Sequence, residues 1–193
     1  MEKYAKLSDT VMLIDAAFLN FVVSDVKKNF ERILGRSLKD IDLSELVSYF
    51  ALDAGVGEGE NNIQVLFIYD EESQKLLHCH PSDLAKELND TAFKNYLGEF
   101  AFNSFQPEQL TTLDELYLES LKVIADAKEV KRLLIISFNE EYGEKVHDVL
   151  KKTEGKEIVQ LRMNEPEYHV DYRWEILAYP IMQALGIRGE ELG

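Results

Sequence analysis

A single cysteine, Cys79, stands among 193 residues. No disulfide can close within the chain and no thiol pair is available for redox chemistry, which fits a reducing compartment. Basic residues are scarce: 21 Lys and Arg are set against 36 Asp and Glu, a net charge of −15. Such a chain repels nucleic acid and anionic membranes at long range unless its bases gather. Lys27, Lys28, Arg32 and Arg36 have a spacing that permits one shared helix face, yet four bases are also what an ordinary solvated face carries. Long apolar runs are absent. The longest, residues 11–23, is broken by Asp15 and Asn20 and is too short to span a bilayer. The opening MEKYAKLSDT lacks the basic-then-apolar order of a signal peptide. A cytoplasmic protein with no membrane partner is expected.

Phosphate-cradling glycines are lacking too. Gly55, Gly57 and Gly59 are interleaved with Glu58 and have no Lys behind them, and a carboxylate there repels phosphate. The four histidines are dispersed apart from His78 and His80. Those two project to one side of a short strand, but two ligands are too few for a transition-metal site.

Three short apolar runs are present, and each ends in acid: VMLID (11–15), VLFIYDEE (65–72) and LLIISFNEE (133–141). Each reads as a strand buried on both faces, and in an open α/β sheet ligands sit at the C-terminal edge of such strands. Around them the spacing predicts a helix from residue 16 to about Gly35, and a second over DLSELVSYFALDAG with Asp42 as its cap, Glu45 completing a capping box and Gly55 ending it. NIQVLFIYD (62–70) is the second strand, KLLHCH a short third, and DLAKELNDTAFKNYL a helix stopped by Gly98. EFAFNSF alternates as a strand. A helix follows over TTLDELYLESLKVIADAKEV, with a Thr112–Glu115 capping box and Leu113, Leu116, Ser120, Leu121 and Ile124 facing inward. Strand RLLIIS, helix YGEKVHDVLKK, strand EIVQLRM and a tail helix interrupted by Pro180 complete the chain. Strands alternating with helices imply an α/β fold, a mostly parallel sheet with helices on both faces. One domain is expected over residues 1–193, with a core over about 10–163 and an aromatic segment and helix over 164–193.

In this order of elements the chain resembles the NYN branch of the PIN-like ribonuclease fold. The stretches that carry the resemblance are Leu13-Ile14-Asp15-Ala16-Ala17-Phe18, Thr112-Leu113-Asp114-Glu115-Leu116 and Ser137-Phe138-Asn139-Glu140-Glu141-Tyr142, with the strand EFAFNSF just before Asp114. The resemblance implies a three-layer sandwich with an acidic site for Mg²⁺ or Mn²⁺. Asp15, Asp114 and Glu141 would be its catalytic carboxylates, and Asn139 would join them around the metal. A hard cation held this way can activate water against a phosphodiester. The chain departs from the family in four places: Asn139 supplies a neutral oxygen where an Asp ligand stands, Phe138 replaces a Gly, Phe18 replaces a polar Asn, and the longer Glu141 stands where the family has its last Asp. Asp15 and Asn139 also stand at strand-to-helix turns, where Asp and Asn serve as N-caps, and Asp114 complements a helix dipole.

The expectation is therefore a degenerate domain that binds protein or acts as a scaffold. The alternative is a metal-dependent endoribonuclease with a rearranged acidic site, for which RNA would be the partner. Tyr168, Tyr172, Arg173 and Trp174 form the candidate interaction surface. Aromatics with an Arg can stack on single-stranded bases, but Tyr, Trp and Arg also favour protein interfaces. The acidity favours a protein partner or self-association over nucleic acid.

Overall fold

The structure, a computed structural model, describes residues 6–193, so the first five residues of the N-terminal segment read above lie outside the described range. The protein is a three-layer α/β sandwich. Its elements run β1 (Thr10–Asp15), α1 (Ala16–Leu34), β2 (Ile41–Asp42), α2 (Leu43–Asp53), β3 (Asn61–Ile68), β4 (Cys79–His80), β5 (Thr91–Asn95), β6 (Gly98–Phe105), α3 (Leu113–Asp126), β7 (Arg132–Ile136), α4 (Asn139–Leu150), β8 (Glu157–Arg162), β9 (Arg173–Ile176) and α5 (Ala178–Ala184). Seven strands form the main sheet in the order β5-β6-β3-β1-β7-β8-β9. Every pairing is parallel except β5 with β6.

The three acid-ended runs lie side by side as β3, β1 and β7, the middle of the sheet. Their near-continuous apolar sequence is what burial on both faces requires. One face packs Met12, Ile14, Val65 and Phe67 against α1, α2 and α5. The other packs Leu13, Leu66, Leu133 and Ile135 against α3 and α4. The chain leaves β1 toward β3 on one side and returns through α3 to β7 on the other. The crevice between the C-terminal ends of β1 and β7 is thus the topological switch point, where this architecture places ligands. Among the described residues no helix is long and apolar enough to cross a membrane.

Six expectations are corrected. The helix expected over 83–97 is a single π turn, Leu84–Leu88, followed by the edge strand β5. Asp90 at φ 62° breaks the helix, and Phe93 then stacks on Phe100 at 4.7 Å, so cross-strand aromatic packing prevails over local helix propensity. Gly98 accordingly opens β6 and stops no helix; at φ 133° a Cβ there would lie 2.1 Å from the Asn61 carbonyl oxygen. KLLHCH contributes only β4, paired with β2 outside the main sheet. The preceding residues are held by the buried Asn20 of α1, whose amide donates to Lys75 O at 3.0 Å and accepts from Leu77 N–H at 2.8 Å. Glu45 closes no box on Asp42 and pairs instead with Lys39 at 3.7 Å. Pro180 lies in the first turn of α5, where a missing N–H breaks no helical bond. Arg173–Ile176, read only as part of an aromatic segment, is the edge strand β9.

Candidate functional site

Asp15 ends β1 at the switch point and is 1% exposed. Its Oδ1 accepts the Phe18 N–H at 3.0 Å, capping α1. Its Oδ2 accepts the Tyr142 hydroxyl at 2.5 Å. Burial pushes the Asp15 carboxyl up and outweighs these two hydrogen bonds; the nearby Glu141 carboxylate pushes it in the same direction. Tyr142 reaches this position because α4 is kinked in its first turn: its own backbone is non-helical, at φ −139° and ψ 22°. Burial holds its phenol far above the ordinary range, so it remains a donor.

A second tyrosine sits beneath it. Tyr117 of α3 is fully buried, and its ring lies 5.3 Å from that of Tyr142. Its hydroxyl is 3.0 Å from Leu13 O and 2.9 Å from Ile136 O, so it bridges carbonyls of β1 and β7 where the two strands part. Phe138 covers the crevice from the α1 side, with its ring 5.0 Å from Phe18 and 6.3 Å from Phe21. Two tyrosines and two phenylalanines therefore occupy the space that a switch-point ligand would take.

Two of the remaining candidates, Asn139 and Asp114, are also engaged within the fold. Asn139 Oδ1 accepts from Ser137 Oγ at 2.7 Å and from Gln160 Nε2 at 3.3 Å. The buried Gln160 in turn accepts from Arg162 Nη1 at 2.9 Å. This polar chain runs along the ends of β7 and β8. Asp114, in the first turn of α3, accepts the hydroxyl of Thr112, whose capping box with Glu115 forms as the spacing predicts. Glu141 is exposed on the first turn of α4. The implied Mg²⁺ or Mn²⁺ does not fit this arrangement. Both Asp15 oxygens face donors, the Asn139 oxygen receives two more, and among the described residues no three His, Cys, Asp or Glu are grouped to hold a metal.

Beside the crevice a recess of about 470 Å³ lies over the start of α4 and the end of β8. Glu140, Glu141, Glu144, Glu165 and Glu167 line it against only Lys145 and Arg162. Five carboxylates against two bases give a field that opposes an RNA backbone. Two of the four bases on and just after α1 are neutralised as well: Lys27 pairs with Glu31 at 3.3 Å and Arg36 with Glu191 at 2.8 Å.

The four residues of the candidate interaction surface divide into two pairs. The Tyr168 ring packs at a tilt against His147, 4.4 Å away, and the Tyr172 hydroxyl lies 2.9 Å from His147 Nδ1, so both dock the loop before β9 onto α4. Arg173 and Trp174 lie on β9 itself, Arg173 exposed and Trp174 half-buried. Cys79 is buried, and burial raises its thiol to about 12, which suits a packing role. Sequence reasoning missed Tyr117, Tyr142 and Gln160. Tyr117 lies four residues after Leu113 and four before Leu121, and that helical spacing on the inner face of α3 was the signal available for it.

Residues 4–192 match the model of a family described as a family of unknown function, DUF6621, and the chain belongs to that family. No curated protein and no solved structure matches it.

Proposed function

We propose that this is a degenerate PIN/NYN-like domain that binds protein and does not cut RNA. One observation carries the proposal: the switch-point carboxylate, Asp15, is buried and its two oxygens are taken by Phe18 N–H and the Tyr142 hydroxyl. A nuclease of this kind needs that carboxylate bare, facing a cation and water. The ring packing of Phe18 with Phe138 and the acidic lining of the adjacent recess support the same conclusion. The likeness to the PIN/NYN family is supported by the placement of its three stretches, since the end of β1, the start of α3 and the end of β7 all belong to the C-terminal edge of the sheet.

The test is cleavage of a labelled single-stranded RNA with Mg²⁺ or Mn²⁺, comparing the wild type with Asp114→Ala and with Asp15→Asn. No cutting, and a melting temperature unmoved by either metal, is expected. Metal-dependent cutting that both variants abolish would establish the rearranged endoribonuclease instead. That alternative draws on one observation, the proximity of Glu141 to Asp15, and it requires Tyr142 to swing away.

A further inference from the structure

The two edges of the main sheet differ. Among the described residues each has no strand on its outer side, but β5 is bonded antiparallel to β6 as a hairpin, whereas β9 is bonded parallel to β8. Leu177 N–H reaches Arg162 O at 2.7 Å. Backbone groups alternate in direction along a strand, so Arg173 and Glu175 also point their N–H and C=O toward β8, and Trp174 and Ile176 point theirs outward. Unpaired outward groups of this kind are a template for another strand. Among the described residues no strand lies on that side.

The sequence along this edge is complementary to itself. Arg173 and Glu175 flank Trp174, are both exposed, and lie 3.6 Å apart on one face of the sheet. We propose that β9 pairs antiparallel with β9 of a second copy about a two-fold axis at Trp174, joining two seven-stranded sheets into one. This rests on the reading of the domain as a protein-binding module and names its partner.

In that register the outward N–H and C=O of Trp174 meet their equivalents across the axis, and Ile176 meets Tyr172 of the second copy. Arg173 then stands opposite Glu175 of the second copy, and Glu175 opposite Arg173. These become the non-hydrogen-bonded pairs, whose side chains approach most closely. A shift of the axis to residue 173 sets Arg against Arg, and a shift to 175 sets Glu against Glu. The outward backbone groups align in all three of these registers, and charge selects among them the one centred on Trp174. A two-fold contact is isologous, so a single strand supplies both halves of it. Tyr179, 68% exposed just beyond the end of β9, and the half-buried Trp174 add apolar surface beside the strands. The net charge of −15 on each copy opposes approach at long range, but at 0.15 M salt that repulsion is screened beyond about 8 Å while the close pairs persist.

The test is sedimentation equilibrium of the full chain in 0.15 M salt, with the wild type, Arg173→Glu, Glu175→Arg and an equimolar mixture of the two variants. The wild type is expected to dimerise. Each single variant sets like charges opposite one another at both pairs and should weaken association roughly ten-fold or more. The mixture should recover a heterodimer, because every charge again opposes its opposite across the axis. Recovery on mixing also rules out misfolding as the cause of the loss. A wild type that stays monomeric at about 100 µM, or a dimer that both single variants leave intact, overturns the proposal. RNA cleavage by the same samples would sink the non-catalytic reading and leave the dimer standing, so the two failures are separable.

Discussion

The Tyr142 hydroxyl donates to Asp15 Oδ2 at 2.5 Å across the gap between α4 and β1, joining two residues that lie 127 apart in sequence. The bond turns a potential ligand into a strut. Removing the hydroxyl by Tyr142→Phe leaves a buried carboxylate with one donor fewer, which should cost about 1.5–3 kcal/mol at neutral pH. Denaturant unfolding of Tyr142→Phe, Asp15→Asn and the double variant checks it. Strong coupling is expected, with the double variant much closer to Asp15→Asn than additivity allows. Additive losses would mean that the two side chains are not bonded in solution.

Asp15 also makes a pH prediction whose sign is opposite to that of ordinary paired carboxylates. Burial raises its folded value above the usual carboxylate range. The folded state therefore holds the Asp15 proton more tightly than the unfolded chain, whose value is about 3.9. The contribution of this group to stability is full below that value and is lost as pH rises through the folded one. Asp83 and Asp148, both lowered by hydrogen-bonding partners, run the other way, but they cancel in a difference between two variants. The unfolding free energy of Asp15→Asn minus that of the wild type should rise with pH from about pH 4 and then level off. A flat difference across the acid range would show that the Asp15 carboxyl is not desolvated.

Much of this was written plainly in the chain. VMLID, VLFIYDEE and LLIISFNEE became β1, β3 and β7 because an apolar run bounded by acid has few other uses in an α/β protein. The Thr112–Glu115 box started α3 where expected because capping is local chemistry. The plug was not legible. Nothing near Tyr142 in sequence says that a kinked turn will aim its hydroxyl at Asp15, and nothing near Tyr117 shows it reaching two strands at once. β5 was hidden behind LAKEL, a good helix former whose continuation was overruled by Phe93 meeting Phe100. β9 was hidden by its brevity and its charges, and only its pairing with β8 makes it a strand.

Phe138 tests whether the sealed crevice is structural. Its ring packs against both apolar layers and against Phe18, so Phe138→Ala should destabilise by about 2–4 kcal/mol, nearer the lower figure because the ring is only partly buried. The same variant opens the crevice while leaving the Tyr142–Asp15 bond in place. Isothermal titration with Mn²⁺ should therefore detect no binding by Phe138→Ala, alone or combined with Asn139→Asp. Binding gained by either variant would mean that Phe138, and not Tyr142, is what keeps a cation from Asp15.

Arg36, just past the end of α1, fastens the C-terminal end of the chain. Its Nε and Nη2 bond Glu191 at 2.8 and 2.9 Å, and its Nη2 also reaches Gly186 O at 3.3 Å. The Arg36 hydrogen bonds and the Arg188 backbone N–H pull the Glu191 carboxyl down to about 2. A lowered carboxylate contributes above its unfolded value, about 4.3, and the contribution is lost as pH falls through the folded one. At neutral pH the clasp is thus complete, and Arg188 caps the short helical turn Gly189–Leu192 that it closes. Cleavage by trypsin after Arg188, followed by mass spectrometry, should be slow in the wild type and several-fold faster in Arg36→Ala. Glu191→Gln should fall between them, since the amide still accepts from Arg36 without the charge. Added salt should speed the wild type toward Glu191→Gln, because an exposed pair is screened. Equal rates in all three proteins would show that the tail is held by its apolar contacts and that Arg36 only decorates it.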